Sequence, residues 1–83
     1  MKVIILSNVY NTDTQQLWRL QIDDRLAEFC TWSDGRTWLN YYQEDGSKSK
    51  YTEYNHLREY YMPLDKKNPA RTIDKFYKIM MLQ

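Results

Sequence analysis

The side chains able to do covalent chemistry are few: one histidine, His56, one cysteine, Cys30, and two adjacent acid pairs, Asp23 with Asp24 and Glu44 with Asp45. Acid–base or nucleophilic catalysis needs at least two convergent groups, and this inventory does not supply them. His56 lies near Glu53 and Arg58 and reads as a solvated surface histidine. Cys30, beside Phe29 and near Trp32, has no base close to it in sequence and reads as a small buried hydrophobe. Both acid pairs fall where turns are expected, for which backbone reasons suffice. A lone histidine with a lone cysteine cannot assemble an ordinary zinc set, and Gly35 and Gly46, the only two glycines, cannot make a phosphate-cradling loop. The expectation is a protein with no catalysis, no metal and no cofactor.

What remains is binding. Three Trp and eight Tyr stand in 83 residues, more aromatic surface than a core of this size can hide, and Trp, Tyr and Arg are the residues that dominate protein interfaces. A chain this short buries only about 60 to 65% of the surface its unfolded form exposes. Twelve Lys and Arg against eleven Asp and Glu leave a net charge of +1, so no global field favours nucleic acid or membranes. A local basic cluster of Arg36, Lys48, Lys50, Lys66, Lys67 and Arg71 remains open as an alternative, with exposed hairpin aromatics stacking on bases.

The elements that must position these residues are legible from pattern. "KVIILSNVY" at 2 to 10 reads as a strand, and Asn11-Thr12-Asp13-Thr14 as a turn. "QLWRLQI" at 16 to 22 alternates strictly and predicts a half-buried strand pairing antiparallel with the first. After Asp23-Asp24, "LAEFCTWS" and "RTWLNYYQ" flank Asp34-Gly35, a strong hairpin signal. With Asp34 and Gly35 as the two central residues, Thr31 faces Trp38, Cys30 faces Leu39 and Phe29 faces Asn40. That register puts Cys30, Trp32, Leu39 and Tyr41 on one face and Ala27, Phe29, Trp38 and Tyr42 on the other.

Residues 48 to 54 could prolong the sheet, but Tyr51, Tyr54, Leu57 and Tyr61 share one helical face, which predicts a helix over 51 to 62 ended by Pro63. The clearest element is the last, an amphipathic helix over 69 to 82 with Asn68 as N-cap, Pro69 at its first position and Ile73, Phe76, Tyr77 and Met80 along its apolar stripe. The expected fold is therefore a single α+β domain over 1–83, a small antiparallel sheet of three to five strands packed against one or two helices. Its expected core is Trp18, Cys30, Trp32, Leu39, Ile73, Phe76, Tyr77 and Met80.

"NTDTQQLWRLQI" at 11 to 22, followed by a strand ending in Trp32 and then Gly35-Arg36, resembles the opening of the WGR domain family, with the signature split here by Ser33-Asp34. The resemblance, over 11 to 36, implies an antiparallel sheet with a helix behind it and DNA-strand-break recognition, with Trp32 and Arg36 as the DNA-contacting pair. The residues themselves point first to a protein partner. Phe29, Arg36, Trp38, Asn40 and Tyr42 are the expected contact face, and Trp32, Arg36, Lys48, Lys50, Lys66 and Lys67 the alternative nucleic-acid contacts. With one cysteine and an N-terminal apolar run too short for a signal peptide, the chain reads as cytoplasmic. Small non-enzymatic domains of this kind are often phage or mobile-element inhibitors of a host enzyme or defence complex, which is the expected role.

Overall fold

A computed structural model describes residues 1–42 and 61–81, together with the backbone of 48–54. Five strands, β1 (Val3–Asn11), β2 (Gln15–Ile22), β3 (Arg25–Trp32), β4 (Thr37–Tyr42) and β5 (Lys48–Tyr54), precede one helix, α1 (Pro69–Met81). The strands form one antiparallel sheet in chain order, a meander whose outer strands are β1 and β5. The helix packs on one sheet face, so the protein is an α+β domain as its patterning requires.

Local chemistry sets each turn. Between β2 and β3, Asp23 takes a positive φ of 53°, tolerable for a short polar side chain, and its carboxylate accepts the Lys2 amide at 2.9 Å. Between β3 and β4 the outcome differs from the expected two-residue turn. The Trp32 carbonyl accepts the Gly35 amide at 2.9 Å, the Trp32 amide donates to the Arg36 carbonyl at 2.8 Å, and only Gly35 takes a positive φ, 96°. Ser33, Asp34 and Gly35 thus make a three-residue loop ending in a left-handed glycine. The Asp34 carboxylate fixes that geometry by accepting the Arg36 amide at 3.1 Å and its guanidinium at 2.9 Å.

The pairing consequently slips by one position: Thr31 faces Thr37, Cys30 faces Trp38 and Phe29 faces Leu39. A one-residue slip exchanges partners between faces. Phe29 is 0% exposed in the core beside Leu39, and its ring meets Phe76 of α1 edge-on at 6.1 Å. Cys30 and Trp32, expected in the core, lie on the opposite face. Trp18, Leu39, Ile73 and Phe76 do form the core with Leu20, Ile22, Ala27, Met62, Leu64 and Ile79, while Tyr77 and Met80 pack against its margin.

The helix expected over 51 to 62 is corrected at both ends. Residues 51 to 54 belong to β5, paired to β4 with Thr37 facing Tyr54 and Tyr42 facing Lys48. The Tyr spacing fits a helix, but β4 is largely buried and its outer backbone groups need partners, so ladder formation overrides local periodicity. Residues 61 to 65 form neither helix nor strand, with Met62 and Leu64 buried and Pro63 exposed. Residues 55 to 60, including His56, lie outside the described residues, as do Glu44 and Asp45.

The 61 to 65 segment is strapped to the sheet by polar groups. The Met62 amide donates to Thr31 Oγ1 at 3.1 Å, and Thr31 shares a buried 2.8 Å bond with Thr37. Gln16 Oε1 accepts both the Leu64 amide at 3.0 Å and Trp18 Nε1 at 3.1 Å. The Asp65 amide donates to Thr72 Oγ1 at 3.0 Å, and Asp65 Oδ1 caps the following turn by accepting from Lys67 and Asn68. Chemical denaturation should show Phe29→Ala losing about 3 to 5 kcal/mol through the cavity it leaves. Gly35→Ala should lose about 1 to 2 kcal/mol, because a Cβ is unfavourable at left-handed φ.

Candidate functional site

The helix covers one face of the sheet, and among the described residues no element packs over the other. Strand alternation and the observed register assign that face. Reading from the hairpin loop, Gln15 and Trp32 lie opposite one another, then Leu17, Cys30 and Trp38, then Arg19, Glu28 and Asn40. Leu26 and Tyr42 follow, and β1 adds Ile4 and Leu6 at the margin.

Trp32 and Trp38 are half-buried and meet edge to face, centroids 4.7 Å apart at 81°. The Arg36 guanidinium sits 4.5 Å over the Trp32 ring and is paired with Asp34. Tyr42 Oη donates to Glu28 Oε2 at 3.1 Å, which orients its ring across the face. Glu28 and Asn40 are buried although no described element packs over their side of the sheet, and Asn40 Oδ1 has no hydrogen-bond partner among the described residues.

Cys30 is 1% exposed between Leu17 and Trp38, with Gln15 Nε2 3.5 Å from its sulfur. Burial pushes its thiol up, with nearby Glu28 adding to the rise and the Gln15 bond and Arg36 opposing it. A thiol held protonated is a poor nucleophile. Because the folded value lies above the unfolded one, its contribution to stability is complete below the ordinary thiol range and is lost as pH rises through the folded value. No group of three or more His, Cys, Asp or Glu among the described residues is placed to hold a metal, and no described helix is long and apolar enough to cross a membrane.

Of the five expected contact residues, Trp38, Asn40, Tyr42 and the loop residue Arg36 do converge at this face, and Phe29 does not. Trp32 joins them in its place, together with Leu26 and Leu6. The absence of Trp32 and Leu26 from the expected set has one cause, the register of the hairpin, since a three-residue reading of Ser33-Asp34-Gly35 places both on the face of Trp38; Leu6 lies on β1, outside that hairpin. Of the alternative set, Lys66 lies 5.8 Å over Trp18 at the sheet's other side, remote from Arg36, and Lys67 is exposed at the start of the turn before α1. The side chains of Lys48 and Lys50 lie outside the described residues.

No protein-family model, curated protein or solved structure matches this chain. Native-state alkylation checks the placement of Cys30: iodoacetamide should label it far more slowly than in the urea-unfolded chain, with a pH midpoint displaced upward. Rapid labelling at neutral pH would contradict a buried, protonated thiol.

Proposed function

We propose that this domain is a non-catalytic protein-binding module that docks its partner on the helix-free face of the sheet. The single observation that carries the reading is the edge-to-face Trp32–Trp38 pair set beside Tyr42 on a face with no described element over it. Aromatics with restricted side-chain freedom lose little entropy on binding, and half-burial leaves each with further area to remove from water. A sheet backed by a helix supplies the stiffness that such a surface needs. Acting by occlusion of a partner, including a host enzyme or defence complex, fits a domain with this inventory of side chains.

Nucleic acid is the second reading. It is favoured by the Arg36–Trp32 stack, the pair that the WGR resemblance implies, and weakened by Asp34, whose carboxylate already neutralises that guanidinium.

Quantitative affinity capture from nuclease-treated lysate separates these readings when run on three chains. The wild type should retain one stoichiometric protein. Trp38→Ala should lose it, with affinity reduced by about 2 kcal/mol or more and the fold intact. Arg71→Glu, on the solvent side of α1, should bind as wild type does. Retention by Trp38→Ala would overturn the docking face, and binding to DNA or RNA that falls steeply with salt would replace the protein reading with the nucleic-acid one.

A further inference from the structure

We propose that the groove at the far end of the helix-free face takes a peptide segment in which a carboxylate side chain neighbours a large apolar one. This deepens the protein-docking reading and rests on it. The groove has a volume of about 210 Å³ and is lined by Leu6, Arg19, Leu20, Leu26, Ala27 and Tyr42. That is below the roughly 300 to 1,000 Å³ of ordinary small-molecule sites, so it suits one or two side chains of a larger partner.

Its chemistry is lopsided. Leu6 and Leu26 are 50% and 52% exposed, one on β1 and the other on β3, with Arg19 of β2 between their strands. Among the described residues, Arg19 is the only charged one of the lining and no carboxylate pairs with it. Its cross-strand neighbour Glu28 is buried and engaged by Tyr42 Oη at 3.1 Å.

An occupant that removes Leu6 and Leu26 from water also strips water from the Arg19 guanidinium. Covering that charge without an anion is costly, whereas a carboxylate accepting two of its N–H groups offsets the loss. The complement is therefore an apolar side chain with an acidic neighbour. A phosphate backbone would meet a single cation among apolar walls and would have to shed its hydration there, so a peptide fits this site better than a nucleic acid.

The test is selection of a displayed random-peptide library on the immobilised full chain. Enriched peptides are then titrated, as free synthetic peptides, onto wild type, Arg19→Glu, Arg19→Gln and Leu26→Asp, each checked for folding by circular dichroism. Enriched sequences should place Asp or Glu beside Leu, Ile or Phe. Each variant should weaken them by about tenfold or more, and replacing the peptide's acid by Lys should restore binding to Arg19→Glu. Absence of enrichment, enriched peptides without an acid, or indifference to the Arg19 changes would overturn the inference. If that happens while Trp38→Ala still loses the captured partner, the docking face stands and only the identity of its groove ligand falls.

Discussion

The left-handed conformation of Gly35 is the constraint on which the rest of the structure depends. With φ at 96° there, and Asp34 held by its bonds to Arg36, the β3–β4 loop closes over three residues. Strand side chains alternate with period two, so this loop length decides which half of the hairpin faces the helix. It sends Phe29, Thr31, Leu39 and Tyr41 inward, and it leaves Cys30, Trp32, Trp38 and Tyr42 on the other side. A two-residue turn from the same sequence would instead pair Cys30 with Leu39 and put Trp32 and Trp38 on opposite faces, separating the pair that the observed loop brings together.

The inward set explains how a chain this small holds together. Phe29 and Phe76 link sheet to helix through an edge-to-face contact, and the Tyr41 and Tyr77 hydroxyls share a hydrogen bond at the margin of the core. Thr31 and Gln16 tie the segment before α1 to the sheet and Thr72 ties it to the helix, their side chains satisfying the Met62, Leu64 and Asp65 amides that a partly buried segment would otherwise leave unpaired. Those bonds confine the helix to one face. The aromatics of the other face stand on the same helix-backed sheet, the arrangement on which the proposed docking reading relies.

Much of this was legible in the residues. Strict alternation in "QLWRLQI" identified β2, Asp23-Asp24 and Asp34-Gly35 marked both tight turns, and Asn68-Pro69 with the Ile73, Phe76 and Met80 stripe located α1. Two things were not. Asp-Gly supports both two- and three-residue hairpins, and the choice rests on the Asp34–Arg36 interaction, which spacing does not reveal. The Tyr51, Tyr54, Leu57 and Tyr61 spacing satisfies a helical face locally, but β4 needs a ladder partner, and that demand exists only once the sheet is assembled. The candidate site inherited the first of these errors, which puts Phe29 in the protein-contact face and leaves Trp32 and Leu26 out of it. Its aromatic character, the part that composition does carry, was unaffected.

The central claim is that the face opposite α1 is the one a partner covers, and hydroxyl-radical footprinting of the free and partner-bound protein tests it most directly. Trp32, Trp38 and Tyr42 should oxidise in the free protein and become protected on binding. Trp18, buried under the helix side, should remain slow in both states. Protection confined to the outer surface of α1, or slow oxidation of Trp32 and Trp38 already in the free chain, would contradict the assignment of the two faces.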